Sequence, residues 1–186
     1  MTKARDLANG GFGLVLIKPT SVVNGTDNGK GTVSFSAQTS VSLNGVFNST
    51  YKNYRFIFTW VPSAQSQLIY RWRIGTSDQT GATYQIQNTV GSSTSVSGGR
   101  GANGTSAEIA YQMGGACMIT GDIIAPFSSD YKSTITTAIN WSNTTVPQVQ
   151  NYVTGWSGTN SNFDGITFYP STGNITGSVQ VYGYNN

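Results

Sequence analysis

Histidine does not occur among the 186 residues of this chain. It is the commonest general base in enzymes and the commonest metal ligand, so its absence removes both uses. Neither a serine–histidine nor a cysteine–histidine nucleophile pair can form. No segment has the spacing of a calcium-binding loop. The sequence therefore predicts no nucleophilic hydrolase, no metal site and no bound cofactor.

Paired carboxylates are another way to build a hydrolytic site, because a glycosidase needs two of them. The acidic residues to consider are Asp78, Glu108, Asp122, Asp130 and Asp164. Asp78 and Asp164 stand in turn-like contexts, where aspartate bonds its own backbone, and Asp130 lies in a predicted loop. Asp122 lies in a predicted strand, either exposed at an edge or paired with an arginine. Turn and surface roles are favoured, and the chain is predicted not to be an enzyme.

The net charge of the chain is only +3, from 10 basic and 7 acidic residues. It has no basic stripe that could bind nucleic acid, and the GGRG segment at 98–101 lacks the lysine of a phosphate-binding loop. Cys117 is the single cysteine, which we expect to be a small buried hydrophobe. The apolar stretch 14–17 is too short for a signal-peptide core or a membrane span. We therefore expect synthesis in a cytoplasm and no membrane insertion.

Alternating aromatic residues give the strongest structural signal in the chain. Aromatic residues make up 12% of it, while helix formers are scarce. Residues 33–43 alternate between apolar and small polar side chains, which predicts a half-buried strand. Two later runs place apolar residues on one face and arginines on the other. These core-facing residues are Tyr54, Phe56, Phe58 and Trp60 in the first run, and Leu68, Tyr70, Trp72 and Ile74 in the second. We predict that the two runs form an antiparallel hairpin.

Other short strands are predicted near residues 14–17, 84–90, 108–113, 118–124, 131–141 and 148–153, with a closing hairpin of 163–169 and 175–184. Residues 91–105 and 155–162 are predicted loops. Roughly nine or ten strands without helices between them must pack as layers that bury one face each. The predicted fold is all-β: an antiparallel two-sheet β-sandwich of jelly-roll type with an extended N-terminal arm.

The chain is predicted to divide into an attachment arm, residues 1–30, and a β-sandwich body, residues 31–186. Residues 1–13 carry few apolar side chains, so they are expected to become ordered only on a partner. Lys3, Arg5 and Leu7 are the candidate anchoring residues, with Leu7 buried and the two cations near acidic groups of a partner protein. The alternative is a contact without a role.

Aromatic residues near predicted loops, or on the outward side of predicted strands, are candidates for a binding surface. They are Tyr152, Trp156, Tyr169 and Tyr182. Surfaces that bind sugars or proteins use such side chains. The competing interpretation, that they complete the core or pack between subunits, is favoured on general grounds.

Several segments together resemble a family of small virion proteins of tailed bacteriophages, described as tail-fibre or minor tail proteins. The segments are GLVLIKPTSV, GTVSFSA, SVSLNGVFNSTYKNYRFIF, RWRIG, GATYQ and FDGITFYPSTGNITGSVQVYGY. The resemblance runs from about Gly13 to Tyr184 and is most specific at 47–54 and 181–184. The opening TKARDLAN resembles the start of marine-phage tail-fibre proteins. The resemblance implies a β-sandwich knob, often trimeric, displayed on the particle, although this chain lacks a fibre shaft.

We therefore expect a non-enzymatic bacteriophage virion protein, made in the bacterial host and displayed on the particle. The favoured role is a short tail fibre for host adhesion, anchored by the arm. A capsid decoration protein that stabilises the head is the alternative. A tailspike enzyme and a free-standing carbohydrate-binding module are the remaining rivals. Expected partners are further copies in a homotrimer, other virion proteins, and possible host surface glycans, but not nucleic acid.

Overall fold

The computed structural model describes residues 13–92, 94–129, 133–142, 147–159 and 161–185, which contain strands and turns and no helix. No helix long and apolar enough to cross a membrane is therefore found in these ranges. The strands are β1 (Gly13–Leu16), β2 (Ser21–Val23), β3 (Thr26–Asp27), β4 (Val33–Gln38), β5 (Val41–Asn44), β6 (Asn53–Pro62), β7 (Ser66–Ile74), β8 (Ser77–Asp78), β9 (Tyr84–Ser92), β10 (Ser95–Gly104), β11 (Ala107–Met113), β12 (Cys117–Ile124), β13 (Phe127–Ser128), β14 (Thr134–Ser142), β15 (Pro147–Trp156), β16 (Ser161–Asn162), β17 (Gly165–Pro170) and β18 (Ile175–Asn185).

Two antiparallel sheets form the body of the protein. The ten-stranded sheet has the order β10-β9-β15-β14-β12-β6-β18-β4-β3, with β1 also paired to β18. The six-stranded sheet has the order β11-β7-β17-β5-β2, with β8 added to β7. A small ladder joins β13 to β16. The predicted all-β, antiparallel two-sheet sandwich is confirmed.

The core lies between the sheets and is rich in aromatic rings. Tyr54, Phe56, Phe58 and Trp60 of β6 and Leu68, Tyr70 and Trp72 of β7 are all buried, as the alternation predicts. The ring centroids of Phe58 and Phe168 lie 5.0 Å apart across the two sheets. Gly121 of β12 provides room for this packing, because a Cβ there would lie 2.3 Å from Cε1 of Phe56. The aromatic pairs thus hold the two sheets together.

The pairing predicted for β6 and β7 is wrong, although their buried faces are right. β6 pairs with β12 and β18 in the large sheet, whereas β7 pairs with β11, β17 and β8 in the small one. The residues between them carry the chain from one sheet to the other. Ile74, predicted to face the core, is 44% exposed at the end of β7.

The predicted closing hairpin is wrong for the same reason, since β17 belongs to the small sheet and β18 to the large one. Its connection and the one between β6 and β7 lie side by side. Ser63 N donates to Asn174 O (2.9 Å), and Asn174 N donates to Ser63 Oγ (2.8 Å). The two connections that cross from one sheet to the other are therefore hydrogen-bonded to each other.

Residues 91–105, predicted as a loop, instead contain the end of β9 and all of β10. This strand forms a hairpin with β9, with Ser95 opposite Ser92. The glycines and serines that suggested a loop leave the strand with little side-chain bulk.

Part of the predicted attachment arm belongs to the body. β1 pairs with β18, β2 with β5 and β3 with β4, so residues 13–27 contribute strands to both sheets. Residues 1–12, including the candidate anchors Lys3, Arg5 and Leu7, lie outside the described residues. The attachment role of the arm stays a prediction.

Candidate binding face

The side chains of the ten-stranded sheet that point away from the small sheet form a broad surface, called here the outer face. The strand registers place one residue from each of seven neighbouring strands in a row across it. From β18 to β10, this row contains Tyr182, Arg55, Asp122, Thr136, Val153, Gln87 and Arg100. The two arginines and Asp122 are the charged residues of this row, so the outer face is mostly neutral.

An ion pair lies near the middle of the outer face. Arg55 binds Asp122 through two parallel hydrogen bonds, Nε to Oδ1 and Nη2 to Oδ2, both 2.9 Å long. The Tyr184 hydroxyl also donates to Asp122 Oδ1. Burial alone would raise the pKa of the Asp122 carboxyl, but these hydrogen bonds outweigh it and hold the pKa below its usual value. The carboxylate is therefore ionised at neutral pH.

A shallow depression of about 280 Å³ adjoins this ion pair. Thr120, Thr136 and Asn151 line it together with the charged pair. Its hydroxyl, amide and charged groups can donate and accept hydrogen bonds, while the single opposed pair adds no net charge. The arrangement suits a neutral polar ligand or a polar protein surface better than an ion.

Exposed apolar side chains collect on the same face, towards the end where β6 finishes and β12 begins. Val61, Met118, Val149 and Val96 are all exposed there. The register puts Met118, Val149 and Val96 in one cross-strand row. Exposed apolar groups gathered on one face are typical of surfaces that contact another macromolecule.

The prediction that Tyr152 and Trp156 are exposed is wrong, because they are only 1% and 8% exposed. Even-numbered residues of β15 face the core, and this row includes the polar Gln150 and Thr154. Gln150 Oε1 accepts from Tyr111 N and its Nε2 donates to Tyr111 O, both at 2.8 Å. Strands usually place apolar residues inside and polar residues outside, but β15 has Gln150 and Thr154 inside and Val149 and Val153 outside. This is why Tyr152 and Trp156 are predicted to be exposed.

The other two predicted binding aromatics are half-buried and lie on opposite sides of the molecule. Tyr182 is on the outer face, opposite Arg55 in the register. Tyr169 is on the outward side of the small sheet, where the Arg71 guanidinium lies 5.1 Å from its ring centroid. The four residues therefore do not form one site, and a binding role for Tyr169 and Tyr182 stays a prediction.

The candidate carboxylates have separate structural partners. Asp122 is paired with an arginine, one of the two roles predicted for it. Asp164 accepts from Gly75 N through both oxygens, at 2.9 and 3.1 Å. Asp130 lies outside the described residues, and within the described ones no group of three potential metal ligands occurs.

Arg73 forms a second polar cluster, on the outward side of the small sheet. It is only 6% exposed, because the hairpin from β7 to β8 folds back over its guanidinium. Its Nε donates to Asn44 Oδ1 (2.8 Å), and its Nη1 donates to Ser42 Oγ (3.1 Å) and Thr167 Oγ1 (2.7 Å). The same Nη1 forms an ion pair with Asp78. The alternation predicts the outward direction of Arg73 but not its burial.

Cys117 is buried, as predicted. Trp60 Nε1 donates to its Sγ at 3.1 Å, and burial raises the pKa of the thiol to about 11. A neutral thiol of this kind is a packing group rather than a nucleophile.

Glu108 is expected to make stability depend on pH. Burial raises the pKa of its carboxyl, although the hydrogen bond from the Tyr152 hydroxyl (2.7 Å) opposes the shift. The folded state therefore keeps this proton to higher pH than the unfolded state does, and stability falls as the pH rises through that window. Replacing Glu108 with glutamine removes the ionisation but keeps an acceptor for Tyr152. Urea unfolding at about pH 3.5 and about pH 8 measures the free energy of unfolding of both proteins. The value for the variant should rise relative to that of the parent as the pH rises. A pH-independent difference would contradict this assignment.

No family model matches this chain, and no curated protein is significantly similar to it in sequence. Among solved structures, it is similar to the SPRY domain of human HERC1, with 11% identity, 91% of this chain and 99% of that chain covered, and a TM-score of 0.38. It is also similar to a protein of unknown function from Shewanella oneidensis MR-1, with 11% identity, 93% and 80% covered, and a TM-score of 0.29. These likenesses are too distant to bear on function.

Proposed function

We propose that this chain is a non-enzymatic structural protein displayed on the surface of a bacteriophage particle. Its role is that of a short tail fibre or host-adhesion protein, anchored to the virion through its N-terminal segment. It is made in the cytoplasm of the bacterial host and assembled into the particle there.

The outer face is the observation that supports a contact role most directly. Seven of its residues are large, apolar and exposed: Leu14, Val61, Val96, Met118, Ile124, Val149 and Val153. Few charges interrupt them, and a polar depression lies beside the Arg55–Asp122 pair. A surface with apolar side chains, little charge and fixed hydrogen-bonding groups suits contact with another molecule.

The resemblance of residues 13–184 to tailed-phage virion proteins supports the bacteriophage part of the proposal. A homotrimer and contacts with other virion proteins belong to the same proposal, and a host surface glycan is the candidate ligand of the polar depression.

Localisation on particles tests the proposal. The chain carries an epitope tag after residue 186, and purified particles are examined by electron microscopy with gold-labelled antibody. Labels at the tail are the expected result. Labels over the head would replace the fibre role with capsid decoration. Particles without label, although the tagged protein is made and folded, would overturn the virion assignment.

Deleting residues 2–11 is expected to abolish incorporation into particles while leaving the melting temperature of the isolated body unchanged. The deletion ends before β1, so it removes none of the described strands. Thermal unfolding followed by tryptophan fluorescence checks the body, and quantitative mass spectrometry of particles checks incorporation. Normal copy number in particles would show that attachment depends on the body instead.

A further inference from the structure

One long edge of the ten-stranded sheet is open. Among the described residues, β10 ends the strand order and is paired only with β9. It is ten residues long, and its residues are exposed or half-buried throughout. An open edge presents unpaired backbone N–H and C=O groups, which can pair with a strand from another chain.

The other sheet ends in the described part of the chain are short or covered. β3 has two residues and β2 has three. The free edge of β11 is covered by side chains from the large sheet. Gln150 bonds both backbone groups of Tyr111 at 2.8 Å, and Thr137 Oγ1 donates to Ile109 O at 3.2 Å. The open edge at β10 is therefore a specific feature of one side of the molecule.

Between Ser95 and Gly101, β10 has little of the usual protection of an edge strand, since its register shift lies beyond this stretch, between Gly101 and Gly104. Its sequence, SVSGGRGANG, contains no proline and no lysine, and Arg100 is its one charged residue. Ser95 lies opposite Ser92. Because Thr83 O accepts from Ser157 N beside β15, the even-numbered residues of β9, Ser92 among them, direct their backbone groups towards β10. Because backbone groups alternate in direction along a strand, Val96, Gly98 and Arg100 direct theirs towards the open edge.

We propose that β10 pairs with β10 of a second copy of this chain, antiparallel and across a two-fold axis at Gly98. Val96, Gly98 and Arg100 of each copy then each donate and accept one backbone hydrogen bond. The two Gly98 residues lie opposite each other at the centre of the shared ladder. The two ten-stranded sheets become continuous across the axis.

Side chains agree with this register. Val96, which is 76% exposed, lies opposite Arg100 of the second copy, whose aliphatic stem covers it. The two arginines are four residues apart along the ladder, about 13 Å, so the like charges do not meet. The contact is self-complementary, as a two-fold interface must be.

The two-fold pairing goes beyond the proposed virion role and does not depend on it. A two-fold contact joins copies in pairs. If the proposed homotrimer also forms, the three contacts of one trimer join it to a single second trimer, with three two-fold axes between them. Loss of the contact then halves the mass of the assembly, as it does for a dimer.

Gly98→Pro is the variant that tests the pairing. Proline removes the N–H directed at the second copy and leaves the bonds to β9 in place, since those come from the neighbouring positions. Gly98→Ala is the matched control, because it keeps the N–H, and its Cβ would meet Asn88 O at an ordinary 3.5 Å. Circular dichroism checks that both variants are folded.

Size-exclusion chromatography with light scattering gives the readout. The parent and Gly98→Ala are expected to have twice the mass of Gly98→Pro. Equal masses for the parent and Gly98→Pro would overturn the proposal, and so would a halved mass for Gly98→Ala. Hydrogen exchange is the second measurement. The amides of Val96, Gly98 and Arg100 should be protected in the parent, and protection should fall on dilution. Fast exchange at every concentration would overturn the proposal independently of mass.

Discussion

Replacing Phe58 with alanine is expected to lower the free energy of unfolding by about 3–5 kcal/mol. Phe58 is fully buried in β6, and its ring packs against Phe35, Trp60 and Phe168. Phe168 belongs to the opposite sheet, so the substitution opens a cavity at the joint between the layers. The loss includes both the transfer of the ring and the contacts that its neighbours cannot regain.

Val153→Ala provides the control for Phe58, since Val153 is an exposed residue of the same sheet. Its substitution is expected to change stability by no more than about 0.5 kcal/mol. Urea unfolding followed by tryptophan fluorescence measures both variants. If Phe58→Ala costs no more than Val153→Ala, the ring does not hold the sheets together.

Replacing Asp78 with alanine is expected to cost about 3–5 kcal/mol, although Asp78 is only partly buried itself. The substitution leaves the guanidinium of Arg73 enclosed without its anionic partner. Ser42, Asn44 and Thr167 still accept hydrogen bonds from it, but none of them carries a charge. An enclosed cation without a counterion is the main source of the loss.

Two further variants separate charge from shape at this site. Asp78→Asn keeps an oxygen acceptor and is expected to cost less than Asp78→Ala. Lys18→Ala breaks the 3.9 Å pair between the exposed Lys18 and the partly buried Asp27, and is expected to cost less than about 1 kcal/mol. Urea unfolding measures the free energy of unfolding of each variant. If Asp78→Ala and Lys18→Ala lower it equally, the ion pair with Asp78 is not needed to keep Arg73 buried.

The alternation of apolar residues predicts which side of a strand is buried but not which strand lies beside it. β6 and β7 show this most clearly, since Phe58 and Tyr70 are buried as predicted while the predicted hairpin is absent. Alternation with a period of two shows which face of a strand is buried. Two such strands can form a hairpin in one sheet or lie in different sheets, and the alternation is the same in both cases. The corner at Ser63 is fixed by Asn174, which is distant in sequence, so no local pattern could reveal it.

The sequence predicts the candidate site only where residue type and strand position determine the contact. Asp122 in a strand, facing the same way as an arginine, allows the pairing that Arg55 provides. The burial of Tyr152 was not predictable from alternation, because Gln150 and Thr154 beside it look like a solvent-facing row. Gln150 is buried because it binds the edge of β11, a contact between the two sheets. The same limit applies to β10, whose glycines suggest a loop until β9 is known to lie next to it.

The sheet order has a consequence for how the chain folds. β6 lies between β12 and β18, so one neighbour begins at Cys117 and the other at Ile175. Proteins dominated by contacts distant in sequence fold slowly, because long loops must close before their contacts stabilise anything. On the ribosome, β6 has no partner on one side until residues 175–185 have been synthesised. Phe168, which packs against the aromatic row of β6 from the opposite sheet, is also synthesised late. The row therefore stays exposed through most of translation, when chaperones can bind it and neighbouring nascent chains can aggregate with it.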